Sequence, residues 1–183
     1  MRHLRLVSLV VIATSVLAFP ASAQRTTSRA RASTDPNPWE IGVDAALQFG
    51  LDTPRSTLLS VPVGSIRAGV LTSDVLEIEP FFSLNHINVQ GGTGFTTYQI
   101  GVGGLYHFAP QRMKPRAYVR PFLSLVGSSG GNTSNSDVGI GIGVGMKWPM
   151  VSGRMAWRGE GNFMTVNNQT SLNFLWGVSF FTR

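Results

Sequence analysis

The pentapeptide Gly127-Ser128-Ser129-Gly130-Gly131 carries the G-x-S-x-G spacing of a nucleophile elbow, where a serine sits on a sharp strand-to-helix turn. Such a turn needs a helix after it. Here Asn132-Thr133-Ser134-Asn135-Ser136 follows with no helical period, so the segment reads as a flexible surface loop. The alternating glycines from Gly139 to Gly145 have the look of a phosphate cradle but lack a helix start or a Gly-Lys-Ser/Thr ending, and they read as strand. His86 and His107 stand on separate segments with no metal-ligand spacing around them. The absence of cysteine removes thiolate zinc sites, disulfides and a Cys nucleophile. No catalytic set, cofactor site or metal site emerges, and the chain reads as no enzyme. What remains is a set of ten charges: Glu40, Asp44, Glu77, Glu79 and Glu160 with Arg67, Arg120, Lys147, Arg154 and Arg158. In isolation they resemble acid–base machinery. Each sits in the polar phase of an alternating segment, so an ion-pair network is the reading adopted.

The elements that position these charges follow from a two-residue period beginning at Trp39. Trp39, Ile41, Val43, Ala45, Leu47 and Phe49 share one face, and Glu40, Gly42, Asp44, Ala46 and Gln48 share the other; a helix would mix the two sets. Seven more runs repeat the pattern. Ile66, Ala68 and Val70 oppose Ser65, Arg67 and Gly69, with Leu59, Val61 and Val63 out of phase, so a bulge is expected near Gly64. Then come Leu76 to Leu84, Tyr98 to Phe108, Val119 to Leu125, Val138 to Trp148, Met155 to Phe163 and Leu172 to Phe180. Runs of about ten residues match the length a tilted strand needs to cross a bilayer. Connections at 72–74, 109–115 and 149–152 fall on one side, and those at 50–57, 90–94, 127–136 and 167–169 on the other.

Eight strands close with the apolar face either inward or outward, and charge placement decides. The polar faces hold five acids and five bases, which sum to zero. A lumen narrow enough to be filled by side chains demands such a balance, because an unpartnered buried charge is very costly. The glycines of the sixth run leave room for long arginines and glutamates from other strands. Aromatic residues agree: Trp39, Phe108, Trp148 and Phe180 fall at one rim and Phe49, Tyr98 and Phe163 near the other, forming two outward belts of the kind that anchor at membrane interfaces. The expected fold is all-β, an eight-stranded antiparallel up-and-down transmembrane β-barrel over residues 39–183.

Ahead of it, residues 1–23 join basic Arg2 and Arg5, an apolar core from Leu6 to Phe19 and the small-residue end Ala21-Ser22-Ala23, which reads as a secretory signal peptide. Its fourteen-residue core reaches only about 21 Å as a helix, short of the roughly 30 Å hydrocarbon layer. Residues 24–38 are polar and proline-bearing, and read as a flexible periplasmic lead segment. The chain is 183 residues long with a net charge of +6, part of it in the leader. The remaining excess does not call for nucleic acid.

From Trp39 to Arg183 the residues resemble the small outer-membrane β-barrel family, the eight-stranded barrels related to OmpX, the opacity proteins and the transmembrane part of OmpA. Phe174-Leu175-Trp176-Gly177-Val178-Ser179-Phe180-Phe181 looks like the terminal strand signal of that family, although Thr182 and Arg183 follow the phenylalanines. The resemblance implies the cell outer membrane of a Gram-negative-type bacterium, with outer-membrane lipid and the barrel-assembly machinery as partners; no surface ligand is indicated. It implies a structural or surface-interaction role, with the lumen plugged by the charges. A narrow channel for ions or small solutes is the alternative, and a lipid-modifying enzyme a third reading. For the last, His86 in Asn85-His86-Ile87-Asn88 has no serine on its face and reads as an interfacial histidine.

Overall fold

The computed structural model describes residues 39–52, 55–87, 94–110, 114–130, 133–150 and 154–182, and the expected signal peptide and lead segment lie outside them. Eight strands follow in order: β1 (Trp39–Gly50), β2 (Ser56–Leu71), β3 (Leu76–Ile87), β4 (Phe95–His107), β5 (Arg116–Gly130), β6 (Thr133–Pro149), β7 (Met155–Val166) and β8 (Gln169–Phe181). Each pairs antiparallel with its chain neighbours, and β1 closes on β8 from Glu40↔Phe181 to Gly50↔Ser171. The expected closed eight-stranded up-and-down barrel is the observed fold. Alternation produces it directly. Glu40, Gly42 and Asp44 are buried inside β1 while Trp39, Ile41 and Val43 are exposed outside, and β5 and β7 repeat the pattern.

The phase break in β2 is real and longer than a single-residue bulge. Between Asp44↔Ser65 and Ala46↔Ser60, β2 accommodates three more residues than β1, which returns Leu59, Val61 and Val63 to the outer face. Gly64 is one of the extra residues. A Cβ there would stand 2.6 Å from the Ala46 Cβ and 2.8 Å from its backbone nitrogen, so a side chain would push the two strands apart. Proline breaks the ladder twice more. The β2/β3 register skips from Arg67↔Phe81 to Val70↔Ile78 around Pro80, and the β4/β5 register skips from Gly103↔Phe122 to Tyr106↔Val119 around Pro121.

One expected loop is instead strand. Residues 127–130 pair with 133–136 at the end of the β5/β6 ladder, from Gly127↔Ser136 to Gly130↔Thr133, so the first four of the G-x-S-x-G letters lie at the end of β5. The Ser, Gly and Asn content that reads as loop instead marks a ladder exposed to water at its end. At the β7/β8 turn Asn167 and Asn168 have φ of 45° and 66°, the paired positive values of a tight two-residue hairpin. Asn168→Val is expected to destabilise the barrel by about 1–2 kcal/mol because a β-branched residue tolerates this region poorly. Asn168→Gly should be nearly neutral. Denaturant-unfolding midpoints of the two variants in phosphocholine micelles check the difference.

Candidate functional site

The interior is polar and the exterior apolar. Arg116, Arg158, Lys147, Glu40, Glu77 and Glu79 are among the largest fully buried side chains, whereas Ile41, Val61, Ile78, Ile100, Leu123, Val144, Trp157 and Phe174 are exposed, one on each strand. Val144 is 64% exposed on the same strand as the buried Lys147. A water-soluble barrel has the opposite polarity.

All eight strands contribute to the interior cluster. Arg67 on β2 donates through Nε to Asp44 at 2.8 Å, through Nη1 to Glu40 at 2.6 Å and to Glu79 at 3.3 Å, and through Nη2 to Ser179 at 2.8 Å. Lys147 on β6 bridges Glu40 at 2.6 Å and Glu77 at 2.9 Å, and Glu77 also meets His107 Nε2 at 2.9 Å. Arg158 on β7 bridges Glu79 and Glu160, at 2.5 Å each. Arg120 on β5 donates to Glu160 at 2.5 Å, with Tyr118 Oη and Asn162 Nδ2 completing that carboxylate at 2.8 and 3.1 Å. Most carboxylates thus accept from two or more donors, which the burial of ions requires. The cations also lie against rings: the Arg120 guanidinium is 4.7 Å from the Phe122 centroid and that of Arg158 is 5.1 Å from Tyr118.

Nine of the ten residues expected in the lumen meet there. The tenth, Arg154, is a correction: it is exposed ahead of β7, whose first residue is Met155, so its even number does not carry it inside. Arg116, unforeseen, is buried at the start of β5 and restores five bases to five acids among the described residues. It lies between the expected connection at 109–115 and the expected fifth run, and it shares parity with Tyr118 and Arg120. His107, Tyr118, Asn162 and Ser179 were also missed as interior partners, and the same parity marks them. The sixth-strand glycines do not chiefly make room for arginines. Phe122 lies where a Cβ of Gly141 would be and Tyr118 where that of Gly145 would be, and only Gly143 faces Glu160. Arg67 lies over Gly42 instead, and Arg120 against Gly103.

Among the expected belt residues, Trp39, Phe108, Trp148 and Phe180 are exposed at the rim that carries the 72–75 connection, joined by Trp157 opposite Trp148. At the other rim Phe163 is exposed, whereas Phe49 and Tyr98 are half-buried: Phe49 packs edge-on against Phe174 at 6.3 Å, and Tyr98 lies over Gly127. His86 is exposed, with Nδ1 2.8 Å from Thr96 Oγ1. Glu40, Glu77 and Glu79 bring carboxylate oxygens within 4.8 Å of one another, a spacing suited to a cation. Lys147 and the two guanidiniums already fill that role. Toward the rim opposite the chain ends, the ion pairs give way to a cavity of about 70 Å³ with Gln48, Ser60, Asn85, Gln99 and Asn173 in its wall and Arg67, Glu79, Arg120 and Arg158 at its base.

This is the fold of the small outer-membrane barrels. The neisserial surface protein A superposes with a TM-score of 0.62 at 20% identity, over 78% of this chain and 96% of that one. The N-terminal β-barrel domain of Pseudomonas aeruginosa OprF gives 0.55 at 16% over 78% and 97%, and the attachment invasion locus protein Ail of Yersinia pestis gives 0.54 at 10% over 80% and 99%. At these identities the likeness is one of fold. No family model and no curated protein sequence matches the chain.

Glu79→Ala would leave Arg67 and Arg158 buried with one carboxylate fewer, and is expected to cost about 3–5 kcal/mol. Adding Arg158→Met should recover part of that, since charge is then removed in pairs. Denaturant unfolding of both single variants and the double variant measures the coupling; purely additive losses would show that the two side chains act independently.

Proposed function

We propose that this chain is an outer-membrane β-barrel protein that acts as a rigid lipid-embedded scaffold with a structural or surface-interaction role. The reversed polarity carries the reading: apolar side chains are exposed on every strand while ten formal charges are buried at its centre. In water that exterior would aggregate, and in lipid it is the favoured surface. Strands of 12 to 17 residues, tilted as in such barrels, are long enough to cross the roughly 30 Å hydrocarbon layer. The rim bearing Trp39 and Phe181 faces the periplasm in this reading, and the four hairpin ends at the opposite rim face outward. Export through the expected signal peptide and insertion by the barrel-assembly machinery belong to the same proposal.

The plugged lumen is part of it. Eight strands enclose a space that side chains fill, and the cavity lies to one side of the ion pairs rather than through them. Passage of a solute would require bridges such as Lys147 to Glu40 and Glu77 to part together. A surface role accords with neighbours that include a neisserial surface protein and an attachment invasion locus protein.

Two measurements test this. Brominated phospholipids should quench Trp39, Trp148, Trp157 and Trp176, all exposed, in reconstituted protein, and an unheated sample should migrate faster than a boiled one on a gel. A chain that stays monomeric and folded in buffer without detergent, with unquenched tryptophans, overturns the embedding. Planar-bilayer recordings should lack stable conductance steps; steps that vanish on Lys147→Met would favour the channel instead.

A further inference from the structure

Among the described residues, the barrel wall has one poorly paired seam. The β2/β3 register comprises Leu71↔Glu77, Val70↔Ile78, Arg67↔Phe81 and Ile66↔Phe82, all in the half nearer the chain ends. Both strands continue beyond it. β2 runs on to Ser56 paired only with β1, from Ala46↔Ser60 to Gly50↔Ser56, and β3 runs on to Ile87 paired only with β4, from Ser83↔Gln99 to Ile87↔Phe95. By comparison, β5 and β6 pair without a break from Arg116↔Lys147 to Gly130↔Thr133. The cause is local. The extra residues that re-register β2 against β1 throw it out of step with β3, and Pro62 among them has no N–H to offer. Among the described residues one side-chain hydrogen bond crosses the gap, Ser60 Oγ to Asn85 Oδ1 at 2.6 Å.

Directly behind that bond lies the cavity, whose wall includes Ser60, Ser83 and Asn85. In front of it, Leu59, Val61, Val63 and Leu84 are exposed on the outer surface. At the cavity's base lie Arg67, Glu79, Arg120 and Arg158, already engaged with one another and with Asp44 and Glu160. We propose that this seam is a lateral port, and that the cavity takes the head of a single-chain amphiphile whose acyl chain remains in lipid along Leu59, Val61 and Leu84. The head it fits is neutral and hydroxyl-bearing, of glycerol size. Hydroxyls both donate and accept, and so match the mixed hydroxyl and amide lining offered by Ser60, Ser83 and Asn85. An anionic head would instead meet Asp44 and Glu79, and a cationic one Arg67, Arg120 and Arg158. The amides of Gln48, Gln99 and Asn173 offer further neutral partners.

The proposal rests on the membrane-embedded reading, so tryptophan quenching by brominated lipid is verified first, in phosphatidylcholine nanodiscs. The probe is 1-decanoylglycerol, read by side-chain amide NMR of Asn85, Gln99 and Asn173, against decanoate, decyltrimethylammonium and free glycerol. Decanoylglycerol should shift these resonances saturably, and each comparator should bind at least tenfold more weakly. Since the chain has no cysteine, S60C/N85C, read at the amides of Gln99 and Asn173, can be joined by a short bis-methanethiosulfonate reagent that reduction cleaves. Cross-linking should abolish the shift and cleavage should restore it, with the uncross-linked double variant as its own folding control. A saturable shift that is absent in an embedded chain, equal for all heads, matched by free glycerol, or retained after cross-linking overturns the port.

Discussion

Closure of β1 on β8 is the constraint from which the rest follows. Once the sheet has no free edge, nearly every backbone group finds a partner within the wall, and the interior becomes too narrow to stay wet. Polar side chains on the inner face then have only one another. The arrangement reflects this: carboxylates from β1, β3 and β7 interleave with cations from β2, β5, β6 and β7, and tyrosine, serine and asparagine take up remaining lone pairs. On the outer face the same closure leaves a continuous apolar ring with no second layer to cover it.

Closure is not equally good everywhere. Where Pro80 and Pro121 fall, the ladder loses a step and resumes with the register intact on the far side. At residues 61–64 β2 leaves its ladder with β1 and regains it at Ser60, whereas its ladder with β3 is not regained among the described residues. In a hydrocarbon layer an unpaired backbone edge is expensive, so the sequence concentrates the fault in one seam, at the end nearer water, and backs it with amides and hydroxyls. The ionic half of the barrel remains fully laddered on most sides.

The barrel was legible because period-two alternation specifies both element and face, and because balanced charge on one face distinguishes lumen from solvent. The break at Gly64 was visible as a phase error among Leu59, Val61 and Ile66. Less visible were the limits of each run. Arg116 and Arg154 both sit in the polar phase beside turn-like residues, and alternation alone cannot tell which still lies within a strand; pairing with Lys147 across β5/β6 holds Arg116 in, while β7 starts one residue too late for Arg154. The β5/β6 tip was misjudged because Ser, Asn and Gly favour loops in isolation, and a long-range partner strand overrides that preference. Which glycine receives which side chain was not readable at all, because it depends on strand stagger.

Buried ion pairs are weak evidence of stability, since well-packed apolar residues of similar size often do as well. Their value here is better sought in specification. A strand apolar on both faces would gain almost as much from slipping by one residue as from its proper register, whereas a slip in this chain would drive Glu40 or Arg158 into the apolar exterior and Ile41 or Trp157 into the ionic centre. Because Arg67 alone contacts residues of β1, β3 and β8, a register error in one strand would break bridges in several others. The network therefore penalises incorrect closures collectively, even if each of its bonds adds little to the correct one.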